Sequence, residues 1–253
     1  MAGSFAREPR YRRLALAALL IGFGVALSGC EKSRGSKSEP DASGGHAVSS
    51  SGNPEPKPGA DFRSPGAVDN VPVIVTLGDS LTEGFGVPEE QNWPSRLQRR
   101  LAEAGYPHRV VNAGVSGDTS AGGLARMDWL LRQRVDILIV ELGANDGLRG
   151  VDPGVTRRNL SAIIAQGQAH GATVVLAGMR MAYNVGPDYQ RQFNELFPEL
   201  ARQHGVALIP FILEGVATRR ELNQSDGIHP TGEGYELVTG NVWKVLQPLL
   251  KKG

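Results

Sequence analysis

Three side chains in this sequence have the types and local settings that acyl transfer needs: Ser80, His229 and Asp226. Hydrolysis of an acyl ester requires a nucleophile, a base to deprotonate it, and donors for the oxyanion that develops. Ser80 follows the short apolar run Val73, Ile74, Val75 and Leu77, which Gly78 breaks. Such a run suits a strand buried on both faces. In a parallel α/β sheet the carboxyl edge just past that strand is where ligands bind. Taken alone, the serine reads more simply as the cap of the next turn.

His229 has Asp226 three residues before it and Pro230 directly after it. A carboxylate that close on one loop can fix the imidazole tautomer and stabilise the imidazolium. Pro230 restricts the His229 backbone to extended values and so helps to aim the ring. The plainer reading is a histidine at the entrance to the last helix. His170 and His204 differ from it: each precedes a glycine at a predicted helix end, where the dipole favours it without further purpose. Two more stretches sit just after apolar runs. Asn112-Ala113-Gly114 follows Val110 and Val111, and Gly143-Ala144-Asn145-Asp146 follows the run from Ile137 to Leu142.

The elements that must position these residues alternate along the chain. Strands are predicted over 72–77, 108–112, 136–142, 173–177 and 206–210. Trp93-Pro94 opens the first helix between them and Gly105 closes it. Thr119 or Ser120 caps a second helix, with Leu124, Met127 and Leu131 on one face. Asp152-Pro153 opens a third, which buries Leu160, Ile163 and Ile164. A fourth runs from about Asp188 to His204, with a kink expected at Pro198, and the last starts near Thr231. This alternation predicts an α/β fold: a three-layer α/β/α sandwich around a five-stranded parallel sheet. A flavodoxin-like strand order 2-1-3-4-5 is expected.

Taken in order, Gly78-Asp79-Ser80-Leu81, Asn112-Ala113-Gly114, Gly143-Ala144-Asn145-Asp146 and Asp226-Gly227-Ile228-His229-Pro230 resemble the GDSL or SGNH hydrolase family. The likeness runs from about Val71 to Leu250 and is strongest to its bacterial thioesterase, arylesterase and lysophospholipase branch. It implies Ser80 as nucleophile, His229 as base and Asp226 as its partner. It also implies an oxyanion hole made by Ser80 N–H, Gly114 N–H and the Asn145 amide. Gly114 has no side chain to keep its N–H from a substrate oxygen, and Asn145 offers two neutral donors. Ordinary turn chemistry is the plain alternative for both. Asp79, Asn112 and Asp146 read as hydrogen bonders that brace the loops.

The resemblance implies hydrolysis of aryl, alkyl or lysophospholipid esters, and of acyl thioesters, without a cofactor or metal. Gly147 to Asp152 and Met179 to Pro187 are expected to line the substrate groove. Leu148, Met179, Met181, Tyr183 and Phe211 are its candidate apolar residues, against the plain reading that large apolar residues pack in the core. Two other functions stay open: a carbohydrate O-acetylesterase of the same family, or an inactive acyl-binding envelope lipoprotein. The sequence contains no G-x-S-x-G elbow, P-loop, H-E-x-x-H or C-x-x-C.

The start of the 253-residue chain reads differently. Arg7, Arg10, Arg12 and Arg13 precede an apolar stretch from Leu14 to Leu27, then Leu27-Ser28-Gly29-Cys30. That order describes a secretory signal over residues 1–29, and the stretch is too short for a good membrane span. It resembles a bacterial lipobox, which implies cleavage before Cys30 and lipidation there, and so a cell-envelope lipoprotein held to the membrane by acyl chains. Cys30 is the single cysteine, so no internal disulfide is expected. Residues 30–70 are Ser-, Gly- and Pro-rich and are expected to form a disordered tether, with the esterase domain over 71–253. Without residues 1–29 the chain has 23 basic against 25 acidic residues. It carries no dense basic run, so a nucleic-acid partner lacks its electrostatic footprint.

Overall fold

A computed structural model of the chain describes residues 71–181 and 186–252. The expected leader, Cys30, the tether and Tyr183 lie outside the described residues. Five strands form one parallel sheet: β1 (Val73–Gly78), β2 (Arg109–Gly114), β3 (Ile137–Glu141), β4 (Thr173–Ala177) and β5 (Ala207–Ile209). Their spatial order is β2-β1-β3-β4-β5, the expected 2-1-3-4-5. β1 lies between β2 and β3, with Gly78 level with Gly114 on one side and with Glu141 on the other. The strand ends that lead into three of the sequence blocks therefore share one edge of the sheet. β1, β3 and most of β4 are buried along their length. Their near-continuous apolar sequence is what a sheet covered on both faces demands.

The covering helices are α2 (Trp93–Glu103), α3 (Ser120–Ala125), α4 (Met127–Leu130), α6 (Pro153–Ala169), α7 (Pro187–His204) and α8 (Gly232–Leu246). Their starts follow the capping rules. Asn92, Thr119, Asp152 and Thr231 each accept a backbone N–H with the side chain, and Pro94, Pro153 and Pro187 occupy first-turn positions. Trp93, Leu97, Leu101, Leu160, Ile163, Phe193, Phe197, Tyr235 and Val242 pack inward against the strands.

Three features differ from the expectations. The second predicted helix is divided in two at Arg126, whose guanidinium turns inward to the carbonyls of Ala113 and Gly78. α7, with Pro198 inside it, differs in its bounds alone: it begins at Pro187 and not at Asp188. Two short helices had no periodic signal long enough to predict: α1 (Ser80–Glu83) and α5 (Ala144–Leu148). Both directly follow strand ends, and both carry candidate site residues.

Candidate active site

A four-residue helix is not stable by itself, because nucleation costs more than its few bonds return. α1, which begins at Ser80, is held by side chains from elsewhere. Asp79 caps its start, with Oδ1 accepting from Leu81 N at 3.0 Å. At its far end Asn112 Nδ2 donates to Thr82 O at 2.9 Å and Asn92 Nδ2 to Glu83 O at 3.2 Å. Arg126 donates to Gly78 O and Ala113 O, and its Nε donates to Asp118 Oδ2 at 2.9 Å. This single guanidinium thus ties the ends of β1 and β2 together next to Ser80.

His229 arrives from the loop before α8. Asp226 Oδ1 accepts from Ile228 N and His229 N, at 2.9 and 3.0 Å, which closes a tight turn. Gly227 sits at φ +71° within it, a backbone that favours glycine. Gln224 holds this loop to the serine side: its Nε2 donates to Phe85 O at 2.8 Å and to Pro230 O at 3.0 Å. The Phe85 ring lies against the His229 ring, with centroids 4.7 Å apart.

These supports bring together groups 149 residues apart. His229 Nε2 is 2.9 Å from Ser80 Oγ, and Nδ1 is 2.7 Å from Asp226 Oδ2. With Nδ1–H donating to Asp226 Oδ2, Nε2 is left to accept a hydrogen bond from the Ser80 hydroxyl. An array of this kind can move a proton from the alcohol to the imidazole while the carboxylate steadies the cation that forms. The His229 side chain is 17% exposed and that of Asp226 38%. The hydrogen bond from His229, followed by the two backbone N–H groups, lowers the Asp226 pKa to about 2.

The two remaining oxyanion candidates lie at the same sheet edge, already engaged. Gly114 N–H donates to Asn112 Oδ1 at 2.9 Å. A Cβ at Gly114 would come 2.2 Å from Glu83 N. The missing side chain therefore admits the backbone of α1, a steric need that the sequence reading did not foresee. Asn145, at the start of α5, donates through Nδ2 to Asp79 Oδ2 at 3.1 Å and to Asp118 O at 3.0 Å. An oxyanion would have to take these hydrogens from the Asn112 amide oxygen at Gly114, and from the Asp79 carboxyl or the Asp118 carbonyl at Asn145. Asp79, Asn112 and Asp146 brace the loops as expected. Asp146 accepts from Ser120 N at 2.8 Å and from Thr156 Oγ1 at 3.2 Å, joining α3 and α6 to the Asn145 turn.

The candidate substrate residues separate. Leu148 is exposed, three residues beyond Asn145. Met181 borders Gly147, where a Cβ would lie 2.4 Å from its sulfur. Met179 does not face a groove: two residues past the end of β4, it is buried in the core cluster. Phe211 packs against the core with the Arg180 guanidinium over its ring. Sequence reasoning passed over Phe85, Arg126, Gln224 and Glu141. Phe85 between glycines carried a faint signal, whereas Arg126 and Gln224 act on backbone carbonyls, which leave no trace in sequence.

Asp79 is buried, and burial raises its pKa from 3.8 to about 6, against the hydrogen bonds from Leu81 N and Asn145. A folded state that holds this proton more tightly has that contribution in full below about pH 4. It loses it as the pH rises through about 6. Asp226 has the opposite sign: its contribution is present above about pH 4 and is lost as the pH falls through about 2. Replacing Asp79 by Asn removes the first effect. The variant should therefore gain on the wild type between pH 4 and pH 7, by up to about 3 kcal/mol. Urea unfolding at the two pH values measures this, and equal differences at both would show that Asp79 titrates as an ordinary carboxylate.

Comparison with known proteins shows the family. Residues 76–237 match the model of the GDSL-like Lipase/Acylhydrolase family. Esterase TesA of Pseudomonas aeruginosa is 43% identical over 178 residues, which cover 70% of this chain and 89% of that protein. Thioesterase 1/protease 1/lysophospholipase L1 of Escherichia coli is 38% identical over 178 residues, covering 70% of this chain and 84% of that one. The crystal structure of the psychrotrophic esterase EstA from a Pseudoalteromonas species, inhibited by monoethylphosphonate, superposes with a TM-score of 0.67 at 31% identity. It covers 70% of this chain and 97% of that chain. With the family model matched across most of the sheet and relatives this similar along most of their length, the chain belongs to the GDSL-like lipase/acylhydrolase family.

Proposed function

We propose that this serine esterase works through an acyl-enzyme on Ser80, with His229 as general base and then general acid, and Asp226 as its orienting carboxylate. The observation that carries the reading is the continuous 2.9 and 2.7 Å path from Ser80 Oγ through the imidazole to Asp226. In the first half-reaction Ser80 Oγ attacks the ester carbonyl as its proton passes to Nε2. The C–O bond to the leaving alcohol then breaks as Nε2 returns that proton to it. In the second half water attacks the acyl carbon by the same route, which releases the acid and restores the Ser80 hydroxyl. Ser80 N–H, Gly114 N–H and Asn145 Nδ2 are assigned to the tetrahedral oxyanion.

Carboxylic esters with an apolar acyl or aryl part are the proposed substrates, lysophospholipids and thioesters among them. Phe85, Val115, Leu148 and Ile228 support this. Each is a large apolar side chain left exposed, and each is near in sequence to a site residue or, in the case of Phe85, in contact with one. The names of the two relatives, an esterase and a thioesterase/lysophospholipase, point the same way. Leu27-Ser28-Gly29-Cys30 supports export and lipid anchoring at Cys30, which would favour esters met in the cell envelope. A fluorophosphonate ester tests the chemistry. It should add one phosphonyl group, located at Ser80 by peptide mass mapping, with parallel loss of activity. A label on another residue, or full activity after labelling, would refute the assignment.

A further inference from the structure

Glu141 is the last residue of β3, directly after four apolar residues, and it is completely buried. The sequence reading absorbed it into an apolar run. An acid costs several kcal/mol to bury without compensation, so its contacts bear on what it does. Its Oε2 accepts from Thr82 Oγ1 at 2.7 Å. Its Oε1 is buried with no hydrogen-bond partner among the described residues. Thr82 lies two residues past Ser80, and Gly78, two residues before it, is level with Glu141 in the sheet. The carboxyl also explains Gly78: a Cβ there would lie 2.0 Å from Thr82 Oγ1 and 2.7 Å from Glu141 Oε2. We propose that Glu141 is a positioning residue for the reaction, a clasp from β3 that holds Thr82, and with it the start of α1, just past Ser80 and so fixes the aim of its hydroxyl.

The inference rests on the acyl-enzyme reading above and deepens it. Burial, and then the neighbouring Asp79 carboxyl, push the Glu141 pKa well up. The groups that bear on it are Asp79 from the turn, Thr82 from α1 and Tyr235 from α8, whose own pKa burial and Glu141 raise. Glutamine is of the same length and keeps an oxygen that can accept from Thr82 Oγ1. A methionine of similar length keeps the packing and removes the polar clasp. The Met variant leaves the buried Thr82 hydroxyl without its acceptor and is expected to lose some stability, so the Gln variant and the exchange measurement are what read folding and aim apart.

The test compares the wild type with Glu141→Gln and Glu141→Met. Displacement of a nucleophile by about 1 Å costs on the order of 100-fold. Glu141→Met should therefore lose 10- to 100-fold in kcat and in the rate of phosphonate labelling of Ser80, by the same scale. KM should stay within about threefold, and the melting temperature should not fall in proportion. Glu141→Gln should recover kcat to within about threefold of wild type, as expected for a group that acts through hydrogen bonds. Independently of turnover, amide hydrogen exchange at residues 79–83 should quicken in the Met variant and not in the Gln variant. The clasp is overturned if Glu141→Met labels at the wild-type rate, if Glu141→Gln is impaired as much as Glu141→Met, or if exchange at 79–83 is the same in all three proteins. Failure of the esterase reading would look different: the wild type itself would neither turn over esters nor label at Ser80.

Discussion

Replacing His229 by Ala is expected to lower kcat for a p-nitrophenyl ester by about 10⁴-fold or more, and Ser80→Ala by a similar factor. The expectation follows from the two contacts of the imidazole, one to Ser80 Oγ and one to Asp226 Oδ2. Without the ring, the hydroxyl has no acceptor positioned for its proton, and the leaving alcohol has no acid. Groups that act as a unit are strongly non-additive, so the double variant should be no worse than either single one. Asp226→Asn should cost less than His229→Ala. The Asp226 side chain is 38% exposed, so water can take part of its place beside Nδ1. It should still cost about 10²-fold or more, because an amide there admits the wrong tautomer. Steady-state kinetics on variants with native circular dichroism measure all four. A folded His229→Ala protein within tenfold of wild-type activity would remove the imidazole from the mechanism.

Asn145→Ala carries the second-largest expected effect, a loss of about 10²–10³ in kcat. The amide makes two bonds in this structure, to Asp79 Oδ2 and to Asp118 O, so the substitution acts in two ways. It removes a donor for the oxyanion, and it leaves a buried Asp79 oxygen without its side-chain partner. Loss of a buried partner costs about 1–3 kcal/mol of stability. That penalty lowers the melting temperature but does not by itself slow a folded enzyme. Comparison of kcat at 20 °C with the unfolding midpoint separates the two. Near-full activity in a destabilised protein would leave Asn145 as a brace only.

Much of the fold was legible because its signals are local. Five short β-branched runs alternate with capped helical stretches, and a sheet covered on both faces has no other way to be written. The boundaries of α2, α6 and α8 follow from Asn92, Asp152 and Thr231, whose side chains act within three residues. The pairing of Asp226 with His229 was legible for the same reason, since three residues on one turn bring the carboxylate to the ring.

Contacts across the sheet edge were not legible. The four site blocks stand in order along the chain, but no local rule brings His229 from the loop before α8 to within 2.9 Å of Ser80. That closure depends on Gln224 reaching Phe85 O and on Arg126 binding two strand ends. Bonds to backbone carbonyls use groups that every residue carries, so they leave no residue-type signal. Gly114 gained its meaning only when the α1 backbone was seen to fill the space of its missing side chain. Met179 and Glu141 were misread for one reason: a strand end looks equally apolar whether a residue lines a groove, fills the core or hides an acid. Sequence determined which residues are chemically able to act and which strands carry them. Tertiary structure decided which of them meet, because meeting depends on distances across the fold that local preference does not encode.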